Sequence, residues 1–429
     1  MKNIYFVLLI CLAIIKANAQ TPDILTTEYN TGFAGASWQF SFIHITDIHI
    51  GEGSGDYGTP GYNDTLAAVN EGTPLLRLRR AVKWINQNAA AQKIRFVMMT
   101  GDLTRSGERS QLLRFKQLAD SLIIPYIPLI GNHDVWPYCD LDEATSPMGD
   151  SLMNIIFKDV FDSLALLMPD WSNGTRLNRT WVADESCYSY FQNFSFTFGS
   201  YLFLNADFAT RAHAPLGYQG IGPEADIFNF AGGTWPWLKQ SIIDFPRKGD
   251  ENILLFSHYP PTKDAWAAVN SFSYGEYDDI TNFMKTYTNN IGAWFAGHIH
   301  RDSEYGISTW LFSPTIANGY ECNSNKEFEN GHFRLVKVWD TTSVNVGIAN
   351  KTLTNTYNIY PNPCDNVLTI AGLQDEDAII KIFDINGKLI FETKLGKTNE
   401  YNIQSFEKGV YILHIISKNS VYCKRLIKI

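Results

Sequence analysis

Five short apolar runs in this chain each lead straight into side chains able to bind a cation, and no other feature narrows the possible folds as much. Phe42 to Ile45 leads into Asp47-Ile48-His49, and Ile94 to Thr100 into Gly101-Asp102. Tyr126 to Ile130 leads into Gly131-Asn132-His133-Asp134. Ile253 to Phe256 leads into Ser257-His258, and Ala293 to Ala296 into Gly297-His298-Ile299-His300. Short apolar runs bounded by turn residues read as buried strands. In open α/β sheets the strand ends face one crevice, so the five loops are expected to converge there. Asp47 and His49, like His298 and His300, stand two apart, which on an extended backbone turns both side chains to one side. Gly101, Gly131 and Gly297 let the chain turn tightly beside a crowded centre.

The intervening segments fit this layout. Thr73-Pro74 reads as an N-cap with proline at the first helical position. Leu75, Leu78, Val82, Ile85 and Ala89 then form an amphipathic helical stripe. Leu112, Phe115, Leu118 and Leu122 mark a second helix, Leu152 to Met168 a third, and Pro236 to Ile242 a short fourth. Phe194, Phe196 and Phe198 alternate with polar residues, and Tyr201 to Leu204 runs apolar, both as strands. The pattern predicts an α/β layered domain over residues 38–345.

The donor chemistry is coherent. Carboxylate, imidazole and one amide suit Zn, Mn or Fe. Asp47, His49, Asp102, Asn132, His258, His298 and His300 are too many donors for one ion with open positions. Two divalent or trivalent ions about 3.5–4 Å apart, sharing a carboxylate, use them all. A lone His-x-His or Gly-Asn-His-Asp is more often an ordinary loop, but five of the nine histidines fall in these motifs. His44 lies within the first run and reads as a packed core residue. His213, in the aromatic loop from Phe208 to Thr234, reads as solvated or as the rim of a substrate site. His332 and His414 have no motif around them.

Lys2, the apolar Ile4 to Ile15 and Ala17-Asn18-Ala19 form a leader with a cleavage site after residue 19. Ile10 before Cys11 argues against a lipid-modified cysteine. No later segment is long and apolar enough to span a bilayer, so an exported protein, secreted or surface-attached, is expected. Export permits disulfides, and Cys364 and Cys423 near the ends of the last domain are candidates to pair. Lys and Arg total 35 against 44 acidic residues, a net charge of −9. This excludes extended nucleic-acid binding, which rests on basic phosphate contacts.

The last part of the chain changes character. After a linker at 346–356, Tyr360-Pro361-Asn362-Pro363 breaks the chain sharply. Alternating runs then follow at Val367 to Ile370, Ile379 to Phe383, Lys388 to Phe391, Val410 to Ile415 and Val421 to Ile427. They predict a small all-β sandwich over 357–429.

The ordered set Asp47-x-His49, Gly101-Asp102, Gly131-Asn132-His133-Asp134, His258 and Gly297-His298-x-His300 resembles the calcineurin-like metallophosphoesterase family over about residues 40–320. The resemblance implies a four-layer double β-sandwich flanked by helices, with a binuclear metal centre at the sheet edges. Asp47, His49 and His300 would hold one ion, Asn132, His258 and His298 the other, and Asp102 would bridge. His133 would be the catalytic non-ligand histidine, protonating the leaving oxygen. Many members carry a second aspartate that orients this histidine, and Arg105 stands in its place. His133 is then oriented from elsewhere, and Arg105 becomes a candidate for contact with a substrate phosphate. The tail, with Tyr360 to Pro363, Asp384-Ile385-Asn386-Gly387-Lys388 and Gly409-Val410-Tyr411, resembles the type IX secretion C-terminal sorting domain. That implies secretion and sorting machinery as a partner.

Together these expectations describe a secreted metal-dependent phosphoesterase, with a metal-bridging hydroxide attacking phosphorus. A phosphodiesterase for cyclic nucleotides, glycerophosphodiesters or sphingomyelin-like lipids is the alternative within the class. A surface binding protein on a degenerate phosphoesterase fold is the alternative outside it.

Overall fold

The computed structural model describes residues 22–29, 35–51, 72–105, 107–135, 149–211, 224–245, 253–261, 271–287, 291–300, 331–340, 358–371, 378–384, 389–394, 400–417 and 420–428. The leader, the segment 52–71, most of the loop around His213 and the linker at 346–356 lie outside them.

Two sheets carry the first part of the chain. One has the order β1-β11-β2-β3-β4, built from β1 (Asp23–Tyr29), β11 (His332–Asp340), β2 (Ser37–Ile45), β3 (Ile94–Met99) and β4 (Tyr126–Pro128). The other is β10-β9-β8-β7, from β10 (Ile291–Phe295), β9 (Ile253–Phe256), β8 (Tyr201–Asn205) and β7 (Phe194–Phe198). β2, β3 and β4 run parallel, as do β8, β9 and β10. Their C-terminal ends therefore deliver the five loops together. β1, which precedes the expected domain start at residue 38, adds parallel to β11, and β11 pairs antiparallel with β2.

Phenylalanines join the sheets. Phe42 meets Phe203, Phe256 and Phe295 edge-on at 5.5–5.9 Å between centroids. Phe96 meets Phe196, Phe198 and Phe203 edge-on at 5.2–5.6 Å. Such edge-to-face pairs suit the ring quadrupoles and add to the burial of large apolar area. Helices α1 (Gly72–Asn88) and α2 (Arg109–Ala119) bury the expected stripes, from Leu75 to Ile85 and from Leu112 to Leu118. α1 starts at Gly72, earlier than the Thr73-Pro74 signal placed it. After the short α3 (Asn132–Val135), the helix expected over Leu152 to Met168 is two, α4 (Gly149–Ile156) and α5 (Lys158–Leu167), parted at Phe157. A small hairpin, β5 (Arg179–Val182) with β6 (Cys187–Tyr190), precedes β7, and α6 (Thr234–Asp244) precedes β9. Helix α7 (Tyr274–Thr286) was not anticipated, although its capping box, Ser273 with Glu276, is a legible start signal.

The tail builds its own core in two sheets. These are β12-β13-β16 (Asn358–Tyr360, Val367–Ala371, Glu400–Asn402) and β15-β14-β17-β18 (Leu389–Lys394, Ile379–Asp384, Gly409–Ser417, Ser420–Lys428). Leu368, Ile370, Ile380, Ile382, Leu413 and Ile415 fill the space between them. Asn362 accepts a hydrogen bond from Ile427 N, fastening the proline-rich segment to the last strand. Cys364 is a buried free thiol, which corrects the expected pairing with Cys423. Its backbone bridges to Lys428, and its Sγ donates to the Ile427 carbonyl. Among the described residues, no helix is long and apolar enough to cross a membrane.

The tail lies against α5 and the turn before β4. A cavity of about 290 Å³ at this junction is lined by Leu122, Tyr126, Leu164, Lys381, Phe383 and His414, among others. Burial, with Lys116 and Lys381 adding like charge, holds the His414 imidazole down to about 4. Asp120 and Asp159, which pair with Lys116, also face this junction. The stabilisation that goes with a neutral His414 is complete above the ordinary imidazole value of 6.5 and is lost as the pH falls through about 4. Urea unfolding of the tail, followed at pH 7 and pH 4.5, is expected to show a lower midpoint in acid. His414→Phe should narrow that difference, and an unchanged gap would count against this assignment.

Candidate metal centre

The loops after the strands continue the sheet as a ladder. Asp47 N donates to Gly101 O at 3.1 Å, His49 N to Asp102 O at 2.9 Å and Ile50 N to Leu103 O at 3.1 Å, while Arg105 N returns to Ile50 O at 2.8 Å. Asp134 clamps the next loop to this one. Its carboxylate accepts from Leu103 N, Thr104 N, Thr104 Oγ1 and Gly131 N at 2.7–3.0 Å. Burial and the charge of Asp102 push the Asp134 carboxyl up to about 7, against the pull of the Thr104 and Gly131 donors.

The backbone at the donors is not extended, contrary to the reading of the two-residue spacings. Asp47, His49, Asp102, His298 and His300 all adopt left-handed φ between 50° and 74°. Such φ values cost energy in non-glycine residues and persist only where the surroundings hold them. The glycines have a different task from the one the sequence suggested for all three. A Cβ on Gly131 would stand 2.2 Å from Asp102 Oδ1, and one on Gly297 would stand 1.9 Å from Thr46 Oγ1 and 2.5 Å from Asp47 Oδ2. Only a hydrogen fits. Gly101 does turn through a positive φ of 91°.

All seven expected donors come to one end of the two sheets. Asp47, His49, Asp102 and His300 place their donor atoms within 4.8 Å of one another. His300 Nε2 is 3.2 Å from Asp47 Oδ1 and 3.1 Å from His49 Nε2. On the other side, His258 Nε2 stands 3.0 Å from Asn132 Oδ1 and 3.2 Å from Asp102 Oδ2. Asp102 Oδ2 also lies 3.7 Å from His49 Nε2, so this one oxygen faces both groups. The donor heads are buried, with His300 the most open at 14%.

Main-chain contacts orient the donors. His258 Nδ1 donates to Thr100 O at 2.9 Å, leaving Nε2 directed at the cluster. His298 N donates to both oxygens of Asp47 at 3.0 Å. Asp102 Oδ1 accepts from His133 N at 2.9 Å. Asp102 Oδ2 and His298 Nε2 are buried and make no hydrogen bond. Buried polar atoms are normally paired, and a set of inward-facing O and N donors left over is what a cation requires.

The electrostatics show the strain of so many donors together. Burial opposes a charged His258, but Asp102 beside it prevails and carries the imidazole up to about 9. Burial and the His258 charge bring His298 down to about 3. Burial would raise Asp47, yet the His300 contact takes it down to about 2.

His133 sits at the edge of the cluster, its ring 4.7 Å from that of His49. Its Nδ1 donates to the main-chain oxygen of Arg105 at 2.7 Å. The orientation that the sequence left to be found elsewhere comes from the backbone at position 105. Burial holds the His133 imidazole below its ordinary value. His44 is a core residue, with Nε2 2.7 Å from Thr100 Oγ1. His213 lies outside the described residues.

Sequence reasoning missed one residue. Glu224, 14% exposed, brings Oε2 to 3.3 Å from His298 Nε2. Burial and Asp102 push its carboxyl up to about 7. It belongs to no motif and follows a strand end by many residues, so nothing in the sequence marks it. Asp134→Ala, which leaves the donors of two loops unpaired, is expected to cost about 3 kcal/mol in urea unfolding. A loss below about 1 kcal/mol would show that the clamp is dispensable.

The family described as calcineurin-like phosphoesterase matches residues 40–302, and the secretion system C-terminal sorting domain matches residues 358–429. No curated protein matches the chain. Among solved structures, a dimetal phosphatase from Danio rerio is 13% identical, with a TM-score of 0.40 over 66% of this chain and 88% of its own. The 5'-nucleotidase from Candida albicans is 12% identical, with a TM-score of 0.35 over 88% of this chain and 73% of its own.

Proposed function

The chain belongs to the calcineurin-like phosphoesterase family, and from that premise we propose a two-ion phosphoesterase with Asp47, His49 and His300 on one ion, Asn132, His258 and His298 on the other, and Asp102 shared. It is a phosphoester hydrolase with a metal site, and its sorting domain marks it for secretion or attachment to the cell surface. We further propose that residues 1–19 are removed as a leader, that the unit expected over 38–345 is the catalytic domain, and that 346–356 links it to the exported tail at 357–429.

The observation that carries the reading is the double facing of Asp102 Oδ2, 3.7 Å from His49 Nε2 and 3.2 Å from His258 Nε2. Zn, Mn or Fe suit this mixed set of oxygen and nitrogen donors. When bound, two such ions supply an acidified water and neutralise phosphoryl oxygens.

The remaining work belongs to side chains. His133 is the proton carrier. With Nδ1 engaged by Arg105 O, its Nε2 is the nitrogen through which a proton passes to the leaving oxygen. Because burial favours the neutral imidazole, Nε2 must take up a proton before it can deliver one. The side chain of Arg105, the residue whose carbonyl holds His133, is proposed to meet the substrate phosphate. If Arg105→Ala leaves KM unchanged, that role is wrong.

Monoesters and diesters differ by one charge and one substituent, and paired assays of aryl phosphate mono- and diesters separate the two substrate classes. The protein reconstituted with Zn, Mn or Fe is expected to turn over at least one of them, and EDTA should abolish the turnover. His133→Ala should lower kcat by about 10²- to 10⁴-fold with metal content unchanged. Turnover that survives chelation, or no turnover of either ester with metal bound, overturns the reading.

A further inference from the structure

We propose that Glu224 is an eighth ligand of the metal centre, binding the same ion as His298; this rests on the two-ion reading above. Two donors on one ion, each about 2.1 Å away at octahedral or tetrahedral angles, stand roughly 3.0–3.4 Å apart. The pair His258 Nε2 with Asn132 Oδ1 meets that spacing at 3.0 Å, and His300 Nε2 with Asp47 Oδ1 meets it at 3.2 Å. Glu224 Oε2 and His298 Nε2, at 3.3 Å, meet it too.

The contact is not an ordinary hydrogen bond. His298 Nε2 is buried and makes none, so the two heads face each other without bonding. Among the described residues no lysine or arginine pairs with Glu224; burial and the charge of Asp102 oppose its ionisation, and only the His258 charge favours it. A largely buried carboxylate in that setting needs a cation.

The fold builds this position. Glu224 O accepts from Thr210 N at 3.1 Å, Ala225 N donates to Ser271 O at 3.2 Å, and Asp226 N donates to Phe208 O at 2.9 Å. Upstream, Arg211 is wholly buried and pairs with Asp207 at 2.6 Å, fixing the segment that leaves β8. Tyr259 packs on the His298 ring with centroids 4.5 Å apart, holding the other member of the pair. Glu224 is therefore carried by backbone tied on both sides.

A third carboxylate changes the centre in two ways. The seven expected donors bring two negative charges to two divalent ions, and Glu224 brings a third. The residual positive charge falls, which weakens the pull on a dianionic ester relative to a monoanionic one. Oxygen donors also suit Mn better than the softer-ligand metals. The ion beside His298 is expected to be the one that gains in preference for Mn.

The test uses the full chain, stripped of metal, with Mn²⁺ alone as the probe. Titration calorimetry gives stoichiometry and affinity, and EPR distinguishes coupled from isolated Mn²⁺. Wild type is expected to take up two ions per chain with a coupled signal. Glu224→Gln, close in shape, should keep one tight ion, weaken the second by at least about 10- to 100-fold and lose the coupling. Glu224→Asp, if the glutamine variant folds poorly, should show a smaller weakening of the same ion. His298→Ala should weaken that ion as well. Two ions bound by Glu224→Gln with wild-type affinity and coupling would overturn the role of Glu224 and leave the two-ion centre standing. Fewer than two ions on the wild type would remove both.

Discussion

Everything at the working end of this protein depends on forcing oxygen and nitrogen donors closer together than they would stay by themselves. Asp47 and Asp102 share a buried space with four imidazoles, and the resulting field drives His258 and His298 in opposite directions. A cluster of this kind is costly in the absence of a cation and favourable in its presence. Stability invested in the two phenylalanine-joined sheets holds the donors in that arrangement. The strained φ values at five donor residues have the same meaning, since a backbone relaxes from such angles unless the packing around it forbids it.

The sheets achieve this through direction. Parallel β2, β3 and β4 in one sheet, with parallel β8, β9 and β10 in the other, send their C-terminal ends the same way. Loops after them then cross-link rather than wander. The main-chain ladder from Asp47 to Arg105, the clamp at Asp134 and the amide of His298 on Asp47 tie the donor loops to one another. His133 is joined to them through Arg105 O, so its orientation rests on a main-chain oxygen.

Much of this was legible in the sequence, for a physical reason. Strand cores are apolar runs and donors must follow them at once, so Asp47, Asp102, Asn132, His258 and His298 could be found by position. The tail strands at Ile379–Asp384 and Ser420–Lys428 were readable from alternation alone. Where reasoning failed, the information was not local. The left-handed backbone at Asp47 and His298 is imposed by contacts across loops. The division of α4 from α5 at Phe157 has no proline or glycine to announce it. Glu224 reaches the centre because the segment after β8 folds back, and its neighbours in sequence carry no pattern. Helix α7 is the exception, since Ser273 and Glu276 stood in plain view.

The pairing of β2 with β11 has a consequence for how the chain comes into being. His44 lies opposite Arg334, and among the described residues β1 pairs with β11 alone. A strand from the first tenth of the chain thus waits for one from the last quarter before its sheet can close. Contacts so remote in sequence form late and slowly. The flank of this sheet at β2 is thus completed only when residues 332–340 join it, whatever order the other strands take.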